Sequence, residues 1–255
     1  MDDKKIYQQI QAAAKFLLGS KNTLIFSGAG ISTPSGIPDF RSQDKGLWNR
    51  FNPMQTASLS AFNSSPEIFF NWLRPLTQSI WQAIPNTAHY AITDLEKRGL
   101  LKAVITQNID GLHQKSGTEN VIELHGNIQQ LICLNCGHIF ETKVFIDEFL
   151  LREIIPKCNV CGYILKPNIV LFEEMLPMKA WDEAFNCCKQ ADLMIVTGSS
   201  LEVSPANSLP ISAINSGAKL IIVNLNPTEL DHHASLVINS PVELILPKIR
   251  NIIFQ

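Results

Sequence analysis

The stretch Thr23-Leu24-Ile25-Phe26-Ser27-Gly28-Ala29-Gly30-Ile31-Ser32 decides the fold. Its first half is a short apolar run, and its second half is a turn with two glycines and a serine. A run this short and without polar alternation reads as a strand buried on both faces, and such strands belong to parallel sheets. Comparable runs recur at 103–106, 169–172, 193–197 and 220–224, each bounded by turn signals. Helical patterns fill the intervals at 4–18, 87–98, 178–189 and 206–215. Gly19, Gly99 and Gly217 stand at or just beyond three of their ends, where a helix stops readily. Ser240-Pro241-Val242-Glu243 predicts a last helix, with a capping serine, a first-turn proline and a glutamate three residues after the cap; Pro247 is expected to kink it. Strands alternating with helices imply an α/β fold, a parallel sheet with helices on both faces.

Two stretches break the alternation. Residues 42–85 look helical and aromatic-rich, and residues 131–166 hold Cys133-x-x-Cys136 and Cys158-x-x-Cys161, followed at once by Gly137 and Gly162. The expected organisation is a large domain of residues 1–41, 86–130 and 167–255. Residues 42–85 (helical) and 131–166 (cysteine-bearing) then form a smaller inserted domain. Two such cysteine pairs are a zinc signature, with a redox pair or unlinked core thiols as the alternatives. Four thiolates fill zinc's tetrahedral shell and leave no position for water, so the metal is expected to staple the module and not to catalyse. Cys187 and Cys188 are adjacent and read as packing residues.

The 255 residues carry 21 Lys plus Arg against 23 Asp plus Glu, a balance that gives no basic footprint for nucleic acid. The apolar runs fall far short of the ~20 residues of a membrane span. The start, Met1-Asp2-Asp3-Lys4-Lys5, lacks the cationic and apolar regions of a signal peptide, so a cytoplasmic location is expected. A monomer is compatible with the sequence, which does not fix the oligomeric state.

In an open parallel sheet, ligands bind beyond the carboxyl ends of the strands. The glycine loop after the first strand suits a phosphate, but the usual dinucleotide fingerprint fails. Thr33 stands where glycine or alanine is required, and no acidic ribose anchor follows on a strand. A conventional hydride-transferring enzyme is therefore the weakest reading. Further on come Gly36-Ile37-Pro38-Asp39-Phe40-Arg41, then Thr106-Gln107-Asn108-Ile109-Asp110-Gly111-Leu112-His113, then His125-Gly126. With these motifs in this order the chain resembles a sirtuin, an NAD-dependent protein lysine deacylase, of the short prokaryotic type. The match runs from about residue 23 to 237 and includes both cysteine pairs, Gly198-Ser199-Ser200-Leu201 and Val223-Asn224.

The resemblance implies a Rossmann-like sheet, NAD as co-substrate and a structural Zn2+. It places the NAD pyrophosphate against Gly28, Ala29, Gly30, Gly198, Ser199 and Ser200, and the adenosine at Asn224. The nicotinamide carboxamide falls to Ile37, Asn108 and Asp110, and its ribose to Gln107. Asp39, Phe40 and Arg41 belong to the same cofactor loop, Phe40 covering the reacting face and Arg41 ordering the loop. His125 and Asn108 are the implied catalytic residues, with His125 as general base. Val170, Phe172, Glu173 and Val203 are the implied contacts to an acylated-lysine protein or peptide, and Cys133, Cys136, Cys158 and Cys161 the zinc ligands. On this account the acyl oxygen attacks the ribose carbon and His125 then takes a proton from a ribose hydroxyl. Nicotinamide leaves a cation as a neutral molecule, so the paired carboxyl groups usual in glycosidases are not needed. Histidine as a residue type, with its ordinary pKa of about 6.5, suits a base near neutral pH.

Other readings compete. A mono-ADP-ribosyltransferase would use the same NAD cleavage, and a non-catalytic NAD-binding or zinc module would have no use for a base. Taken singly, His125 could be a turn histidine and Asn108 and Asp110 turn formers. His113 reads as a packed histidine, His232 and His233 as a solvated loop, and the aromatics of 62–72 as core. The chain also departs from the family pattern. Glu173 replaces a glycine, a change that backbone recognition tolerates unless φ is positive there; its charge is expected to favour peptides with basic flanks. Leu73 and Leu76 occupy the positions of the Tyr-x-x-Arg pair that reads acidic acyl groups, which predicts acetyl or longer apolar chains. The family's glycine near the C-terminus is missing around Asn239-Ser240-Pro241.

Overall fold

A computed structural model describes residues 3–39, 46–49 and 51–255. Its strands are β1 (Thr23–Ser27), β2 (Ala103–Thr106), β3 (Val121–Glu123), β4 (Gly126–Cys133), β5 (Ile139–Glu141), β6 (Leu165–Ile169), β7 (Leu193–Thr197), β8 (Lys219–Val223) and β9 (Leu236–Ile238). Six of them form one sheet in the order β3-β2-β1-β7-β8-β9, every pair parallel. The order reverses between β1 and β7, the topological switch point of a Rossmann-like sheet. Helices α1 (Asp3–Gly19), α2 (Pro53–Thr56), α3 (Leu59–Ser64), α4 (Pro66–Gln82), α5 (Thr87–Lys97), α6 (Leu112–Ser116), α7 (Ile146–Leu151), α8 (Met178–Gln190), α9 (Ser208–Asn215) and α10 (Val242–Ile253) complete it.

The pleat sends alternate residues to opposite faces, and the register makes each row uniform. Val104, Ile25, Ile195 and Ile221 lie opposite one another and pack with α1, α5 and α10. The next row, Ile105, Phe26, Val196 and Ile222, packs on the other face with Ala184 and Cys188 of α8 and Leu209 and Ala213 of α9. Each of these strand side chains is fully buried, and such burial stabilises by about 2 kcal/mol per residue. Cys188 therefore packs in the core with Cys187 half-buried beside it, as adjacency on one helix requires.

One strand expectation is overturned. Residues 169–172 are not a parallel strand of the large sheet. The strand ends at Ile169 and belongs to a separate three-stranded sheet, β5-β4-β6, in which both pairings are antiparallel. The apolar character misleads because Ile169 and Leu171 are buried against the helical segment around α4, not between helices of the large sheet. At the last helix, Pro241 and not Ser240 holds the cap position, without a side-chain cap bond, and the helix runs on through Pro247. Edge strands β3 and β9, three residues each, carry no sequence signal of their own.

Candidate active site

The crevice opens where the strand order reverses. The turns after β1 and β7 interlock backbone against backbone: a Cβ on Gly28 would lie 2.8 Å from the Gly198 oxygen, and one on Gly198 would lie 2.3 Å from the Ile31 nitrogen. Gly198 also has φ +58°, a conformation that favours glycine. The Gly30 amide donates to the Gly198 carbonyl at 2.8 Å, and the Gly28 amide to Thr197 at 3.1 Å. These two glycines thus serve close approach of the turns, and their own N–H groups are engaged within the protein.

A polar relay lines the floor. Asn108 donates through Nδ2 to the Gly28 carbonyl and to Ser32 Oγ, both at 3.1 Å, and Ser32 Oγ donates to Asp110 Oδ2 at 2.7 Å. Asp110 Oδ1 accepts the Leu112 amide at 2.8 Å. Burial pushes the Asp110 carboxyl up from its ordinary pKa, while these two bonds favour the ionised form. Because both donor hydrogens of Asn108 are engaged, its side-chain oxygen is the group left to meet a ligand donor. Gln107 reaches across the switch point, donating from Nε2 to Ser199 Oγ at 3.0 Å.

His125 stands at the seam between the two sheets, after β3 and before β4. Its Nδ1 lies 2.8 Å from the Gln107 carbonyl, which can only accept, so Nδ1 carries the proton and Nε2 the lone pair in the neutral ring. The backbone carbonyl of His125 accepts the Val170 amide at 2.8 Å. Gly126 explains why a glycine follows: φ is +73°, and a Cβ would lie 2.1 Å from the Asn168 oxygen. Behind the floor, His113 Nε2 meets Ser27 Oγ at 2.9 Å, and Ser27 Oγ donates to Thr106 Oγ1, which also accepts the Asn108 amide. Burial holds His113 down to about 3 and its neighbour His89 down to about 4, so both are neutral packed rings and not bases.

The crevice, about 1700 Å³, is lined by every described residue to which the resemblance assigns NAD or substrate: Gly28, Ala29, Gly30, Ile37, Asp39, Gln107, Asn108, Asp110, His125, Val170, Phe172, Glu173, Gly198, Ser199, Ser200, Val203 and Asn224. Phe40 and Arg41 lie outside the described residues. Sequence alone offers only one signal for Ser32, its place in the glycine loop; the structure adds its complete burial. An apolar branch is walled by Trp48, Trp72, Leu76, Ile80 and Ile169, with Trp48 stacked on Trp72 at 5.8 Å. Leu76 faces this branch and Leu73 packs in the aromatic core instead. Among the described lining residues there is no lysine or arginine.

Segment 170–174 forms one rim. Phe172 pairs with the segment before α3, its amide on the Ala57 carbonyl and its carbonyl accepting from Leu59, both at 3.1 Å. Glu173 has φ +75°, the positive value that makes a non-glycine residue costly by about 1 kcal/mol. Its Oε2 accepts the Ser60 amide at 2.8 Å, and hydrogen bonds from Ser60 hold its pKa down. Glu174 accepts the Leu171 amide and pairs with the buried Lys166, each at 2.8 Å.

The four cysteines meet as their spacing predicts. Sγ distances are 3.4 Å for Cys133–Cys161, 3.6 Å for Cys136–Cys158 and 3.5 Å for Cys136–Cys161. These are far too long for disulfides and near the ~3.8 Å edge of a tetrahedron with 2.3 Å zinc–sulfur bonds. Each pair forms the same knuckle, with Gly137 and Gly162 at φ +73° and +75° donating to the first cysteine's carbonyl at 2.8 Å. The donor set and its shape fit zinc with no position left for a reactant.

Comparison with known proteins agrees with this architecture. A profile of the Sir2 family matches residues 28–205. The NAD-dependent protein deacylase 2 of Archaeoglobus fulgidus is 45% identical over 242 residues, covering 94% of each chain. The NAD-dependent protein deacetylase of Sulfolobus acidocaldarius is 43% identical over 244 residues, 96% of this chain and 95% of that one. A solved Sir2 enzyme superposes with a TM-score of 0.91 at 44% identity, covering 97% and 98% of the two chains. A Sir2 protein solved with p53 peptide and NAD+ gives 0.87 at 40% identity, covering 95% and 97%. With the switch-point crevice, the cysteine knuckles and this breadth of similarity, the chain belongs to the Sir2 family.

Proposed function

We infer that this protein removes acyl groups from protein lysines in a reaction that consumes NAD, releasing nicotinamide and O-acyl-ADP-ribose. The observation that carries the reading is the setting of His125. Its ring is held by the Gln107 carbonyl in the base-competent tautomer, in the same crevice as the Asn108–Ser32–Asp110 relay. A module that only binds has no use for such a group. The similar proteins of A. fulgidus and S. acidocaldarius bear the names of NAD-dependent deacylase and deacetylase.

When bound, NAD supplies the ribose carbon that accepts the acyl oxygen and the nicotinamide that departs. Gly28, Ala29, Gly30, Gly198, Ser199 and Ser200 border the pyrophosphate, and Asn224 the adenosine. Asn108 and Asp110 offer oxygens to the carboxamide N–H groups, with Ile37 beside them; Gln107 serves the ribose, Phe40 covers the reacting face, Arg41 orders that loop, and Asp39 belongs to the same loop. His125 Nε2 takes the proton from a ribose hydroxyl. Val170, Phe172, Glu173 and Val203 border the acylated peptide. The apolar branch, with no cation among its described residues, selects acetyl or longer apolar chains over acidic ones. Cys133, Cys136, Cys158 and Cys161 hold a structural zinc that staples residues 131–166 into the small domain, which they form with 42–85. The large NAD-binding domain comprises 1–41, 86–130 and 167–255. No helix among the described residues is long and apolar enough to cross a membrane. We place the protein in the cytoplasm, acting on acylated-lysine proteins.

The test is incubation with NAD and an acetylated peptide, followed by mass spectrometry. Loss of acetyl with one nicotinamide and one O-acetyl-ADP-ribose per turnover is expected. An ADP-ribosylated protein with the peptide still acetylated would replace this reading by transfer, and NAD binding without turnover would reduce it to a binding module.

A further inference from the structure

We propose that Glu173 is a positioning residue: its carboxylate latches the peptide-binding rim to the helical segment that walls the acyl pocket. The inference rests on the function proposed above for the crevice, and it concerns a residue that departs from the glycine of related chains. At φ +75° a glycine would hold the backbone without strain, so a glutamate at this position is informative through what its side chain touches. It touches the Ser60 amide at 2.8 Å, 113 positions away in sequence. Two backbone bonds stand next to it, Phe172 to Ala57 and Leu59 to Phe172. Together the three bonds tie segment 172–173 to the start of α3, and α3 packs on α4, which carries Trp72 and Leu76 into the crevice.

The rim that pairs with the peptide and the wall that contacts the acyl group are thereby held as one unit. The carboxylate also stands exposed at the crevice mouth, where its charge could select basic peptide flanks directly. Bond and charge make opposite predictions for glutamine. Glu173→Gln keeps an acceptor for Ser60 and removes the charge, whereas Glu173→Ala and Glu173→Gly remove both.

Two measurements on the full-length protein test the latch. The first is amide hydrogen exchange of the NAD-free protein. Because one charge-assisted bond is lost, exchange across segment 170–174 and at Ser60 should quicken about tenfold in Glu173→Ala and Glu173→Gly and stay within about threefold of wild type in Glu173→Gln. The second is kinetic: KM for an acetylated peptide should rise about tenfold in the alanine and glycine variants, with kcat and the KM for NAD within about twofold, and glutamine should restore it. Melting curves verify that each variant is folded. Unchanged exchange in Glu173→Ala overturns the latch. So does a glutamine variant that behaves like alanine while the preference between basic- and acidic-flanked peptides shifts, since charge would then be the function. If the wild type fails to deacylate any peptide, the function proposed for the crevice fails, while the exchange measurement still decides the latch.

Discussion

The two sheets of this protein reach order by different means. In the large sheet, β1 and β7 are buried at every residue, and helices cover both faces. In the small sheet, β5 is exposed at both ends, and the buried residues around the cysteines are few: Leu131, Cys133, Phe145, Cys158 and Leu165. Burial of apolar area suffices for the first. Around the cysteines the second has too few such residues to rely on it, and four thiolates placed to hold one ion would supply what a core of that size cannot. His125 and Gly126 stand at the join, where the chain leaves the parallel sheet and enters the antiparallel one.

The largest expected effect breaks the small sheet alone. Purified protein should carry one zinc per chain by elemental analysis, and stripping it removes an interaction of order 10 kcal/mol. Deacylation should then vanish and protease sites open within 131–166, while far-UV dichroism of the helices persists. A metal-free protein that keeps full activity would show that the cysteines cohere without an ion. Next in size is His125→Ala, which sharpens the role of the join. A lost general base should lower kcat about a thousandfold, roughly 4 kcal/mol of barrier, with the melting temperature nearly unchanged. If the loss of activity tracked a loss of stability, His125 would be a packing residue.

Gly126→Ala probes the same join through the backbone. With a Cβ placed 2.1 Å from the Asn168 oxygen at positive φ, the β4–β6 pairing must shift. A destabilisation of about 3 kcal/mol by urea unfolding is expected, together with loss of activity. The smallest effect per residue belongs to the large sheet and comes from acid. The pKa values of His113 and His89 fall on folding, to about 3 and about 4, so the unfolded chain binds protons that the folded one refuses. Their contribution to stability is complete above about pH 6.5 and is lost as the pH falls, each histidine accounting for about 2 kcal/mol at pH 5. His113→Gln, which keeps a donor for Ser27, should roughly halve that drop when zinc content is matched at both pH values. An equal drop in the variant would place the acid sensitivity elsewhere.

What sequence could show divides along the same line as the two sheets. The central strands were legible because a buried run followed by a glycine turn is a local signal, and the cysteine knuckles because ligand spacing is local too. The run at 169–172 misled because apolar content does not say which partner covers it, and here the partner is the aromatic helical segment. That Asn108, Asp110 and His125 line one crevice is legible only from an ordered set of motifs; alone, each reads as a turn residue. Ser32 carries no sequence signal for this role, which exists only where Asn108 and Asp110, 76 and 78 positions away, converge on one hydroxyl. The partner of Glu173 was invisible for the same reason, and its positive φ turned the departure from the family glycine from a question of charge into one of geometry.

The interlocked turns at Gly28, Gly30 and Gly198 carry a mechanical consequence. With no side chain between them and an amide of one bonded to the carbonyl of the other, the two loops cannot slide or part without breaking the join of β1 and β7. The floor of the crevice is therefore a rigid anvil. Any breathing that admits or releases a ligand falls on the walls above it, which hang from the join at Gly126 and from the rim tied to α3.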